Sequence, residues 1–169
     1  MFSRLAYRTR QFWNALTGPR LPVPEAALTP QLTATQISLF HRLQPSEQAH
    51  ACQIFEHLKA AGQTDPHLLT AALLHDIGKV LYPLSLADRV LVVLGMRFFK
   101  KNSRRWSEGK PTGLRRPFVV AAHHAEWGAD LAQKAGADPR TVELIRHHHH
   151  AQPGNDPLLS ALQAADEDH

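Results

Sequence analysis

An apolar helical run, Leu68 to Leu74, ends directly in His75-Asp76. A segment apolar on every side belongs in the middle of a core. An ionisable pair at its end is costly to bury unless something binds it. The rest of the chain offers partners: His50, the pair His123-His124, the run His147 to His150, and Asp166 alone in a second apolar stretch. Nitrogen and carboxylate groups spread over several helices, with almost no sulfur, are the makings of a metal site assembled between helices. The fold therefore has to bring several distant segments to one point.

Helix punctuation supports an all-α chain. Asp65-Pro66, Asp138-Pro139 and Asp156-Pro157 each place an N-capping acid before a proline at the first helical position, where its missing N–H costs nothing. Gly62 and Gly136 follow helical runs, where a left-handed residue closes a helix. The expected helices are 3–16, 31–43, 46–61, 66–76, 85–101, 116–124, 125–135, 139–149 and 157–166. Strand alternation is weak. Residues 102–115 read as a polar loop. Residues 18–30, with four prolines, read as a linker. The chain thus divides into a basic amphipathic helix and Pro-rich linker, 1–30, and a domain, 31–169. Its 169 residues suit one domain with an appendage.

Each candidate ligand has a plainer reading. Asp76 is either paired with Lys79 or bound to a metal. His50 has Ile54 one turn later and points to the core side, as would an ordinary hydrogen-bonded core histidine; His57 is a decoy of the same kind. His41 and His67 belong to structure or solvent. Asp166 shares the packed face of Leu159 and Leu162, or else is a frayed terminal acid. Adjacent helical residues diverge by about 100°, so His123 and His124 need not serve one ion. His148 and His149 continue the face of Ile145; His147 and His150 diverge from it. The histidine run is internal and extends a helix with Val142 and Ile145 on its apolar face, so it is read as native.

The order His, His-Asp, His, His, Asp resembles the HD superfamily of metal-dependent phosphohydrolases, in particular its HDIG-type members. The matching pieces are SEQAHACQIF, AALLHDIGK, HAEWGADLA, ELIRHHH and LLSALQAAD, over about residues 40–168. The resemblance implies an all-α HD-domain helical bundle. It implies that His50, His75, Asp76 and Asp166 bind one divalent ion. By similarity to members with additional histidines, His124 and His148, with His149 adding to them, would bind a second, bridged by Asp76. The implied cofactors are Mn, Fe, Mg, Zn, Co or Ni. Lys79 matches a family lysine that faces the substrate phosphate, which makes Asp76 and Lys79 the implied catalytic pair. The HHHH run is followed by AQPGND, without the Glu and Gly-Tyr-Pro of HD-GYP phosphodiesterases.

The expected activity is hydrolysis of a phosphate ester or phosphodiester, of nucleotide or cyclic dinucleotide type, by a metal-activated water. Two other readings stay open: an HD-fold regulator that binds metal or nucleotide, and a di-iron oxygenase. Residues 1–20 carry four Arg and no acid, and residues 97–116 carry eight Lys/Arg against Glu108 alone. These suit a phosphorylated small-molecule substrate or an anionic membrane surface; no stable nucleic-acid partner is expected. Phe2, Leu5, Phe12, Trp13 and Leu16 lie along one side of the first helix, either to pack on the domain or to contact a membrane or partner. Cys52 is the only cysteine, which excludes an intrachain disulfide and a thiolate metal cluster. No segment reaches the roughly 18 apolar residues of a membrane span, and no signal peptide is read at the start. A cytoplasmic protein is the expectation, with association at a membrane surface as the alternative.

Overall fold

The computed structural model describes residues 25–99, 105–149 and 155–168. Among these residues there are eight α-helices and no strand. In chain order they are α1 (Glu25–Leu28), α2 (Ala34–Phe40), α3 (Pro45–Ala60), α4 (Pro66–Leu74), α5 (Leu86–Phe98), α6 (Arg116–Lys134), α7 (Pro139–His147) and α8 (Pro157–Asp168). A 3-10 turn, Ile77–Leu81, follows α4, and a second, Gly113–Arg115, leads into α6. No helix of the described residues is long and apolar enough to cross a membrane.

The caps act where the sequence places them. The Asp65 carboxylate accepts from the N–H groups of His67 and Leu68, Asp138 from Arg140, and Asp156 from Leu158 and Leu159. Each thereby satisfies donors that the first turn leaves unpaired. Gly62 and Gly136 take φ values of 82° and 76° just past α3 and α6. α3 starts one residue before expectation, because Gln44 and Glu47 close a capping box ahead of Pro45.

α4 is the axis of the bundle. Every residue from Leu68 to Leu74 is buried, and α3, α7 and α8 all pack on this helix. The core around it includes Phe40, Ile54, Leu73, Leu144, Ile145 and Leu162. α6 packs on α7 and on the 3-10 turn after α4.

Two expectations change. The separate helices at 116–124 and 125–135 are one helix, α6. Gly128, inside this helix, lets two backbones meet. A Cβ on Gly78 would lie 2.7 Å from the Gly128 nitrogen and 2.0 Å from the His124 carbonyl oxygen. The expected linker, 18–30, is described only from residue 25, and there Leu28 is buried in the core. The expected first helix, 3–16, with its apolar stripe, and His150 lie outside the described residues.

Candidate metal centre

Five helix ends or faces meet at one point. α3 brings His50. The C-terminal end of α4 brings His75 and Asp76. The middle of α6 brings His124, and the end of α7 brings His148 and His149. The last turn of α8 brings Asp166. Ligand atoms of His50, His75 and Asp166 lie within 4.8 Å of one another, and so do those of Asp76, His124, His148 and His149. All seven residues expected as ligands therefore converge, in two adjoining groups.

In the first group, His50 Nε2 is 3.0 Å from Asp166 Oδ1. His75 Nε2 lies 3.7 Å from the same oxygen and 3.5 Å from Asp76 Oδ2. In the second, His124 Nε2 is 3.2 Å from Asp76 Oδ1, and the Nε2 atoms of His124 and His149 face each other at 3.0 Å. Asp76 thus turns one oxygen toward each group. Lys79, one turn on, donates to Asp76 Oδ2 at 2.5 Å. The lysine pairing read from the sequence is present, and the same carboxylate stands among the imidazoles.

The backbone fixes three of the rings. Nδ1 of His75 bonds the Ala72 carbonyl at 2.9 Å, Nδ1 of His124 the Val120 carbonyl at 2.9 Å, and Nδ1 of His148 the Ile145 carbonyl at 2.6 Å. A carbonyl only accepts, so each Nδ1 carries the proton, and Nε2 is aimed into the cluster. This outer bond is the one that metal-ligating histidines commonly make. The Nε2 atoms of His75 and His148 are buried with no hydrogen-bond partner. Leaving such atoms unsatisfied is costly. Two orphaned ring nitrogens aimed inward, beside buried carboxylates, fit a divalent cation of the N/O-binding class.

Charge is tightly balanced here. Burial opposes ionisation of Asp76, but the charges of Lys79 and His75 and hydrogen bonds from His124 and His75 hold its carboxyl well below the usual range. Burial likewise opposes Asp166, and the His50 hydrogen bond with the His75 charge outweighs it, so this carboxyl also stays ionised. Burial disfavours protonated His75, yet Asp76 and Asp166 hold it up to about 8. Burial and the neighbouring His75 and His149 charges push His148 well below its ordinary value. Burial, then His124, lowers His149 to about 4.

Among the described residues, His41, His57, His67 and His123 stay out of the cluster. His123 turns away, its Nε2 3.2 Å from the Ser107 carbonyl and its ring stacked on Trp127. His41 and His57 are exposed, and His67 lies 3.5 Å from Asp138. One buried group escaped the sequence reading. Glu47, one turn before His50, accepts from Arg89 of α5 at 2.8 Å and from the Gln44 N–H at 3.1 Å. Burial raises its pKa. Its capping-box spacing was legible, but its pairing with Arg89 depends on tertiary structure.

No curated protein and no solved structure was found to match the chain. A protein-family model does, that of the HD domain, over residues 48–169. This span holds every residue of the cluster, and the chain belongs to the HD-domain family.

Proposed function

We propose that the chain is a metal-dependent phosphohydrolase that opens a phosphate ester or phosphodiester of nucleotide or cyclic dinucleotide type. The observation that carries this reading is the pair of orphaned, inward-facing Nε2 atoms of His75 and His148. HD-domain membership supports hydrolytic chemistry.

His50, His75 and Asp166 would hold one ion, and His124, His148 and His149 another, with Asp76 between them. Such a pair supplies Lewis-acid polarisation of the phosphoryl group and a water acidified enough to attack phosphorus. The chain's own work is placement. The Nδ1–carbonyl bonds orient three imidazoles with Nε2 facing the cluster. Asp166, bonded to His50, fixes the first group across α3 and α8. Lys79, about a quarter exposed, has its ammonium at the edge of the cluster, where it can leave Asp76 and hold a phosphoryl oxygen as charge develops. No Ser or Cys nucleophile is required.

The test is metal analysis of untagged protein, followed by assays on cyclic dinucleotides, nucleotides and p-nitrophenyl phosphate esters. Release of phosphate or opening of a diester that depends on bound metal supports the reading. A metal-loaded protein that binds nucleotides without cleaving them would make it a regulator instead.

A further inference from the structure

α5 is turned inside out. Arg89, Val92 and Gly95 face the domain side. Arg89 is tied to Glu47 and Gln44 at 2.8 Å each. Asp88 is held in the capping box with Ser85. Gly95 lies so close to α6 that a Cβ there would be 2.4 Å from the Phe118 ring. The helix is thus anchored by its polar and smallest side. Leu86, Val90, Leu91, Val93, Leu94 and Phe98 are exposed. At about 100° per residue they cover one continuous arc of roughly 160°. Phe98 is 70% exposed and Val93 55%. Among the described residues, every exposed large hydrophobic lies between Leu81 and Leu114. A patch this concentrated marks a contact surface.

Cations rim it at both ends. The Arg116 guanidinium bonds the Pro83 carbonyl, beside the start of α5. Trp106 lies against Phe99 and Phe118, which brings Arg105 to the other end. Lys110 and Arg115 are exposed on the same connecting segment, with Leu114 84% exposed between them. Glu108 is the only acid from residue 105 to 116.

We propose that this face of α5 lies in the interface of an anionic lipid bilayer, with Leu, Val and Phe side chains among the acyl chains and the basic rim on the headgroups. An apolar arc with flanking cations is what an in-plane amphipathic helix needs. A second copy fits worse, because a twofold contact joins the same surface of each copy and would set one basic rim against the other. Residues 1–24 fit worse too, since they add four Arg and a single acid-free stretch before residue 25.

The test is co-sedimentation of the full-length protein with vesicles of phosphatidylcholine alone or mixed with phosphatidylglycerol. Wild type should pellet with the anionic vesicles only, and added salt should release it. The double variant Leu94→Glu, Phe98→Glu should bind at least about tenfold more weakly, with circular dichroism and melting temperature unchanged. Arg105→Glu with Arg115→Glu should lose the preference for phosphatidylglycerol. The proposal is overturned if wild type stays in the supernatant, or if the Leu94/Phe98 variant pellets like wild type. It is also overturned if the face instead holds a dimer in ultracentrifugation that the variant splits.

Discussion

Nζ of Lys79 donates to Oδ2 of Asp76 across 2.5 Å, on the carboxylate that faces both groups of imidazoles. An ammonium and a divalent cation repel each other at such a distance, so an ion bound here would displace the lysine. On the proposed function, the ammonium would then be available to the anionic substrate. Lys79→Met should therefore bind metal several-fold more tightly in the absence of substrate, by relief of about 1 kcal/mol of repulsion, while kcat falls about 100-fold. Metal titration calorimetry with steady-state kinetics checks both. Weaker metal binding in the variant would mean that Lys79 holds Asp76 in place rather than competing for it.

Removal of Asp76 should act on both groups at once. Asp76→Ala is expected to abolish metal binding and hydrolysis together, and full metal content in this variant would refute its bridging place. His124→Ala should lower the stoichiometry from about two ions per chain to about one. His123→Ala, whose ring turns toward Ser107, should leave the stoichiometry unchanged. Elemental analysis reads all three.

Acidity should act in opposite senses on the metal-free and metal-loaded protein. Without metal, burial disfavours charged His75 but the carboxylates of Asp76 and Asp166 hold it at about 8. The unfolded chain releases this proton near 6.5. The stabilisation, about 2 kcal/mol at most, is complete below pH 6.5 and is lost as pH rises through 8. His149 runs the other way: at about 4, its contribution is complete above 6.5 and is lost as pH falls toward 4. In chelator the melting temperature should peak near pH 6.5. Bound metal needs a neutral His75, so affinity should drop about tenfold per pH unit on acidification below about 8. Calorimetry across pH, with chelator and with Mn2+, distinguishes the two; a chelator maximum above pH 8 would contradict the His75 assignment.

Much of this architecture is legible in the chain. The three Asp-Pro caps locate the starts of α4, α7 and α8, because capping is local chemistry. The apolar run before His75 locates the bundle axis. The division of α6 into two helices is the instructive difference: Gly128, within α6, meets Gly78 fifty residues away, a contact that no local pattern reports. In the site, the alternation of faces after Ile145 separates His148 and His149 from His147. Which nitrogen of each ring faces inward depends on the Ala72, Val120 and Ile145 carbonyls, and Glu47 depends on Arg89. These are tertiary facts that single-sequence periodicity does not carry.

Gly78→Ala tests that close contact. The added Cβ would meet the His124 carbonyl oxygen at 2.0 Å, and backbone cannot move aside as a side-chain tip can. A loss of about 3 kcal/mol is expected in urea denaturation, with weaker metal binding because Gly78 sits between Asp76 and Lys79. Gly62→Ala, with nothing within 4 Å of its Cβ, should cost about 1 kcal/mol, from its positive φ alone. Equal costs at the two sites would show that the Gly78–α6 contact is looser than described.

α4 and α7 both end at the cluster, with the Ala72 and Ile145 carbonyls of their last turns bonded to its imidazoles. Helix carboxyl ends carry partial negative charge. Together with Asp76 and Asp166 they favour a cation as the first guest, once His75 gives up its proton and Lys79 turns away. An anion that arrives at the empty site meets carboxylates already paired with Lys79 and His75; the same anion would meet attraction once a cation is in place. On the proposed function, loading would be ordered, metal before ester, and a phosphate ester offered to the metal-free protein would find no cation to hold it.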